Sequence, residues 1–175
     1  MASVGVIRTY LEMTSPSQLT RPAQLPAGFV VRQESVSPDE YSELYNGVGA
    51  NYHWRDRRSW THEQLREHLA DPAISVWVLR DGMSARGFFE LARGADGSIE
   101  IAYFGLMPDG IGQGLGRALL TRAVVQAWNM TPVPTRVWLH TCTLDHPAAL
   151  PNYLARGFRV TRTEKYSNDE YSNDA

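Results

Sequence analysis

Ile99-Glu-Ile-Ala-Tyr-Phe-Gly-Leu-Met107, continued by Pro108-Asp-Gly-Ile-Gly-Gln-Gly-Leu-Gly-Arg117, is the stretch on which the fold turns. Its first half is a largely apolar run suited to a central strand buried on both faces. Its second half carries glycines at 110, 112, 114 and 116, and a helix is expected to follow over residues 113–129. Gly116, Leu120, Ala123, Val124 and Ala127 recur at helical spacing and form its buried face. Glycines at a strand-to-helix turn let the backbone come close to a ligand. The N–H groups of the helix's first turn then point at one spot with the helix dipole behind them, an anion site suited to phosphates. A Walker loop is excluded, because Gly116 is followed by Arg117-Ala118 and not by a lysine and a magnesium-binding hydroxyl. A Rossmann fingerprint is excluded by the glycine spacing and by the hairpins that precede the strand.

Working outward, residues 74–80 and 85–93 read as strands, with Asp81-Gly82 and Asp96-Gly97 as hairpin turns. Residues 29–36 alternate as a strand. Ser37-Pro38-Asp39-Glu40 then opens a helix: Ser37 is an N-cap, Pro38 fits the first position, and two acids suit the positive end of the dipole. Gly47 and Gly49 end it. Residues 51–60 lack periodicity and read as a loop. Thr61-His-Glu-Gln64 is a capping box whose helix runs to about Ala70, stopped by Asp71-Pro72. Residues 4–13 look extended, and the Ser/Thr/Pro-rich residues 14–28 read as a linker or surface strap. Downstream come a strand over 135–143, a short helix over 147–156 that Pro151 is expected to kink, and a last strand over 158–165. The domain proper is placed at 29–166, behind an N-terminal strand and strap at 1–28. Tyr-Ser-Asn-Asp at 166–169 recurs at 171–174, and residues 167–175 are expected to be a disordered tail. The expected order is β-α-α-β-β-β-α-β-α-β, an α/β domain of the α+β type around a mixed, mostly antiparallel sheet flanked by helices.

The 175 residues suffice for one domain with a substantial core. A net charge of -2 gives no global attraction to nucleic acid or to an acidic membrane surface, and no apolar run approaches a membrane span. Residues 1–9 show no signal-peptide pattern. Cys142 is the single cysteine, which excludes an intrachain disulfide and fits a cytoplasmic protein. His53, His62 and His68 lack the companion spacing of a metal site.

The glycine loop resembles the pyrophosphate loop of the GNAT acyltransferases, Gln/Arg-x-x-Gly-x-Gly/Ala. Gly114 and Gly116 match its glycines, and Ile111 stands where the family has Gln or Arg. A second element, Tyr153-Leu-Ala-Arg-Gly157-Phe158, resembles the family's Tyr-x-x-x-Gly-Phe. The resemblance spans about 29–165. It implies acetyl-CoA as co-substrate, no metal, and direct acetyl transfer to a primary amine of a small molecule or peptide; it admits a homodimer. It also implies CoA contacts from Phe104, Gly105 and Leu106, and from Gly112, Gln113, Gly114, Leu115, Gly116 and Arg117. His146, where the family often has Asn, either touches CoA or water or caps the last helix.

Amine acylation by a thioester needs a base for the amine, a donor for the carbonyl oxygen and a proton for the leaving thiolate. Glu100 stands 11 residues before Ile111, where the histone-type members carry a basic glutamate acting through water. The alternative is an ion pair with Arg93, which a two-residue turn at Asp96-Gly97 would set opposite it. The resemblance makes Tyr153 the acid; the alternative is a core tyrosine. Trp138, His140 and Cys142 share one strand face, with His140 a second candidate base and Cys142 a small buried hydrophobe.

Tyr45, Tyr52, Trp54, Arg55, Asp56, Arg57, Arg58 and Trp60 crowd the segment that the resemblance places over the acceptor, with Tyr45, Tyr52, Trp54 and Arg57 as its contacts. Aromatics there suit a cationic or planar acceptor, arginines a carboxylate or phosphate. In the third alternative the tryptophans simply pack on the domain. A CoA-binding module without catalysis is the competing function.

Overall fold

The computed structural model describes residues 5–167. Seven strands form one sheet: β1 (Val6–Met13), β2 (Phe29–Gln33), β3 (Ile74–Asp81), β4 (Ser84–Arg93), β5 (Ile99–Leu106), β6 (Val137–Cys142) and β7 (Arg159–Tyr166). Four helices flank it: α1 (Pro38–Gly49), α2 (His62–Ala70), α3 (Leu115–Trp128) and α4 (Ala149–Ala155). This is the mixed, mostly antiparallel architecture that the sequence predicts. Among the described residues no helix is long and apolar enough to cross a membrane.

Local chemistry sets the helix starts. Ser37 accepts from the Glu40 N–H at 3.2 Å while Glu40 accepts from the Ser37 N–H at 2.8 Å. Thr61 and Gln64 close the same reciprocal box on α2. Pro151 produces no break in α4. It falls in the helix's first turn, where a backbone N–H has no intrahelical partner to lose.

The strand order is β2-β3-β4-β5-β6-β1-β7. β1 lies inside the sheet, antiparallel to both β6 and β7, so the first strand belongs to the sheet that the domain is built on. The segment after it crosses the α3/α4 face. Thr20 N–H donates to the Arg156 carbonyl at 3.0 Å, and Ala23 N–H to the Thr121 hydroxyl at 3.0 Å. The expected tail falls outside the described residues except for Ser167.

Two cores hold the layers. Tyr41, Leu44, Tyr45 and Val48 of α1 and Leu65 of α2 pack on Val76, Val78, Phe88 and Tyr103. On the other face Leu115, Leu119 and Ala123 of α3 pack with Tyr153 and Phe158 on Phe89, Leu91, Ile101 and Leu139. Each such side chain stabilises the fold by about 1.5–3 kcal/mol. A bulge in the β4–β5 ladder leaves Ala102 as the extra residue between Ile101 and Tyr103. It sends those two side chains into opposite cores.

The strap has a tight point. Gly157 has φ +102°, and a Cβ there would fall inside contact distance of the Gln18 carbonyl oxygen. Gly157→Ala is therefore expected to destabilise the fold by about 2 kcal/mol or more, through left-handed strain plus a backbone clash. The shift of the urea midpoint checks this.

Candidate active site

β5 and β6 are the parallel pair of the sheet, and their ladder stops after Ile99↔Val137 and Glu100↔Trp138. Beyond those pairs the strands part. The gap opens into a cavity of about 410 Å³, lined by β5 from Ile101 to Leu106, the glycine loop, α4 and part of the segment between α1 and α2.

At one end lies the N-terminus of α3. Its N-cap is Gly114, in the left-handed region at φ +73°, and no side chain caps the first turn. The N–H groups there remain available to a ligand, and the 14-residue helix directs its positive dipole end at the same place. Gly112, at φ +86°, has open space where a Cβ would stand. Asn152 of α4 donates to the Gly116 carbonyl at 3.1 Å and ties the loop to the last helix. Ile111 is exposed and contributes wall, not charge.

Midway, Tyr153 is nearly buried, edge-on to Phe104 at 6.0 Å and to Phe158 at 6.2 Å. Burial, and then the charge of Asp145, push its phenol well above the ordinary tyrosine value. The phenol is thus protonated throughout the physiological range, and among the described residues its hydroxyl takes no hydrogen bond. At the other end stand Val48, Tyr52, Trp54, His140, Asp145 and His146. Tyr52 meets the His146 ring edge-on at 5.8 Å and spans the mouth. His146 Nδ1 also accepts the Ala148 N–H at 3.0 Å, so it both braces the turn that leads into α4 and forms wall.

Most of the expected ligand contacts come together on this one surface: Phe104, Gly105, Leu106, Gly112, Gly114, Leu115, Gly116, Arg117, His146, Tyr52, Trp54 and Tyr153. Gln113 instead donates to the Asp109 carbonyl at 2.9 Å, outside the wall. Four expectations need correction. Glu100 is not on the cavity wall; its carboxylate lies 3.9 Å from His140 Nε2, and His140 is what reaches the cavity. Nor does Arg93 oppose it. The turn spans residues 94–98, which sets Ala92 across from Glu100 and sends the Arg93 guanidinium to the Pro132 carbonyl.

The other two corrections concern the acceptor segment, where Tyr45 and Arg57 turn into the α1/α2 core. Arg57 donates to Glu90 at 2.6 Å, Tyr41 donates to the same oxygen at 2.6 Å, and His68 meets the other oxygen at 2.9 Å. Glu90 is fully buried, and burial raises its carboxyl. The His68 hydrogen bond and the Arg57 charge outweigh that, and the group is held below the ordinary glutamate value. The same partners keep the Arg57 guanidinium charged despite its burial. This network pins the segment to the sheet and lets Trp54 and Tyr52 form the cavity's roof. Asp145, which no sequence motif marks, also stands on the wall. Among the described residues no cluster of three or more His, Cys, Asp or Glu suits a metal.

Comparison with known proteins agrees with this architecture. The chain superposes on a GCN5-related N-acetyltransferase from Kribbella flavida with a TM-score of 0.64 at 21% identity, over 91% of this chain and 58% of that one. Another GCN5-related N-acetyltransferase, from Sphaerobacter thermophilus, gives 0.64 at 20% identity, over 90% of this chain and 49% of that one. These identities speak for the fold alone, and the chain spans roughly half to three fifths of those structures. No curated protein matches it. The model of the acetyltransferase (GNAT) family matches residues 40–158, from the first turn of α1 through the Gly-Phe after α4. Two glycines at the uncapped start of α3, a parted β5–β6 pair and that match over well more than half the sequence lead to one assignment: the chain belongs to the GNAT acetyltransferase family.

Proposed function

We propose that the protein moves an acetyl group from acetyl-CoA directly to a primary amine of a small molecule or peptide. The observation that carries this reading is the continuity of one cavity from the uncapped α3 terminus to the Tyr153 phenol. The residues present fit CoA. Gly112 and Gly114 leave room for the pyrophosphate against the backbone N–H groups, and Arg117 adds a cation on the same wall. The parted edge of β5 over Phe104, Gly105 and Leu106 offers backbone partners to the amide-bearing arm. Bound acetyl-CoA supplies the activated thioester. A module that binds CoA without catalysis is the second reading, favoured by the absence of Glu100 from the wall. Thiol release measured over a panel of amines separates the two.

Tyr153 is assigned to the leaving sulfur. The burial that raises its phenol raises the proton affinity of a thiolate beside it by the same mechanism, so the donor remains matched to its acceptor. Tyr153→Phe keeps the ring between Phe104 and Phe158 and deletes the proton. Turnover is expected to fall by about 10²-fold with CoA affinity nearly unchanged. The loss should shrink for acyl donors with more acidic thiols. Wild-type turnover in the Phe variant, with chemistry shown to be rate-limiting, removes the phenol from the mechanism.

A further inference from the structure

The acceptor end of the cavity carries one carboxylate among its lining residues, Asp145 in the turn after β6. It is held rigidly. Its Oδ2 accepts the Thr141 hydroxyl at 2.5 Å and the Cys142 N–H at 2.9 Å, and its own N–H donates to the Cys142 carbonyl at 3.0 Å. Both side-chain bonds end on Oδ2, which leaves Oδ1 as the oxygen for an acceptor to meet. Around it the wall is apolar and aromatic: Val48, Tyr52, Trp54 and Tyr103, with the Trp54 and Tyr103 rings edge-to-face at 5.0 Å. The arginines of the acceptor segment and of the glycine loop do not line this end of the cavity. Arg57 is spent on Glu90, Arg55 turns to the His53 ring at 2.9 Å, and Arg117 stands at the glycine loop.

We propose that Asp145 binds the acceptor's ammonium group and takes its proton, and that the acceptor is a primary amine on an apolar or aromatic body bearing no anionic group. The proposal rests on the acyl-transfer reading. A free carboxylate on the acceptor would face Asp145 at an end of the cavity that no arginine or lysine lines, the Arg8 charge lying behind the wall and already acting on Asp145, whereas an ammonium would gain a charge-assisted hydrogen bond in a site of low polarity.

Burial raises the Asp145 carboxyl above its ordinary value, and the bonds from Thr141, Cys142 and Trp54 and the charge of Arg8 on β1 only partly offset this. The other titratable groups on the cavity wall with it are Tyr153 of α4, His140 of β6, His146 of the following turn, Tyr103 of β5 and Tyr52. A raised carboxyl is a better proton acceptor near neutral pH.

The transfer balances as follows. The acceptor enters as R–NH3+ and gives one proton to Asp145, which later passes it to solvent. The freed lone pair forms the N–C bond to the thioester carbonyl. The C–S bond breaks with its electron pair to sulfur, and sulfur takes the Tyr153 proton. The second nitrogen proton restores the phenol, leaving R–NH–acetyl, CoA thiol and one proton in solution.

Asp145→Asn tests this, since an amide oxygen can keep both bonds to Thr141 and Cys142 while the charge is lost. In calorimetry with CoA present, 2-phenylethylamine should bind the wild type and phenylalanine, the same body with a carboxylate, should bind much less. The Asn variant should bind the amine about tenfold or more weakly and CoA normally, which reports an intact fold. In acetyl transfer its kcat/KM should fall by about 10²-fold and lose the acidic limb of the pH profile. Asp145→Glu should recover part of both. Equal amine binding by wild type and Asn variant, equal binding of phenylalanine and the amine, or an unchanged acidic limb would each overturn the proposal. Amine binding that depends on Asp145, in a wild type that releases no thiol, would support the ammonium site and overturn acyl transfer.

Discussion

Gly114→Val is expected to remove CoA binding, by about 10³-fold in affinity, while the protein stays folded. Gly114 is the N-cap of α3 at φ +73°, a conformation in which a β-branched residue is strained. A Cβ there meets the Arg117 guanidinium at 3.3 Å, so that side chain must give way by a few tenths of an ångström, and the branched Val methyls reach further into the space over the N–H groups. The position is exposed, which confines the cost to the strain of one residue, about 1–3 kcal/mol. Loss of two charge-assisted hydrogen bonds to the pyrophosphate, at about 1.5–3 kcal/mol each, accounts for the fall in affinity. Calorimetry with CoA reads it, and circular dichroism reports the fold. A folded Val variant with wild-type affinity would take the glycine loop out of the site. Gly114→Ala, smaller and unbranched, should give an intermediate loss.

What could be read in the sequence follows the range of the interactions. Both capping boxes, the glycine loop, the apolar β5 and the Tyr-x-x-x-Gly-Phe element are local signals, each encoded within a few residues. The glycine-loop end of the cavity was legible for that reason. The opposite end was legible only in part: Tyr52 and Trp54 reach it, but Tyr45 and Arg57 are drawn into the core by contacts distant in sequence. Arg57 meets Glu90 33 residues away, and nothing in either neighbourhood marks the pair. The place of β1 between β6 and β7 joins residue 8 to residue 142, beyond any periodicity argument. Glu100 shows how small the margin is. The longer turn at 94–98 shifts its opposite residue from Arg93 to Ala92, a one-residue slip that exchanges strand faces.

Breaking the Glu90 network from one side should be among the costliest polar changes in the fold. Glu90→Gln leaves the Arg57 guanidinium buried without its counter-charge, and a loss of about 3–5 kcal/mol is expected. Replacing the pair together, as Glu90→Leu with Arg57→Met, should cost much less, since the desolvation of both charges disappears with them. The pH dependence has a definite sign. The folded carboxyl titrates below its ordinary value of 4.5, so its stabilisation is complete above about pH 4.5 and is lost as the pH falls through the folded value. The Gln variant should lack that acidic loss. Urea midpoints across this range read both effects, and a deficit below about 1 kcal/mol at neutral pH would put the network among ordinary surface pairs. Function should follow in a selective way. Arg57 shares its segment with Tyr52 and Trp54, which roof the acceptor end, whereas the glycine loop hangs on α3 and Asn152. A released segment should therefore raise the amine's KM while CoA affinity holds, and an equal loss of both would mean that the two ends of the cavity are built as one unit.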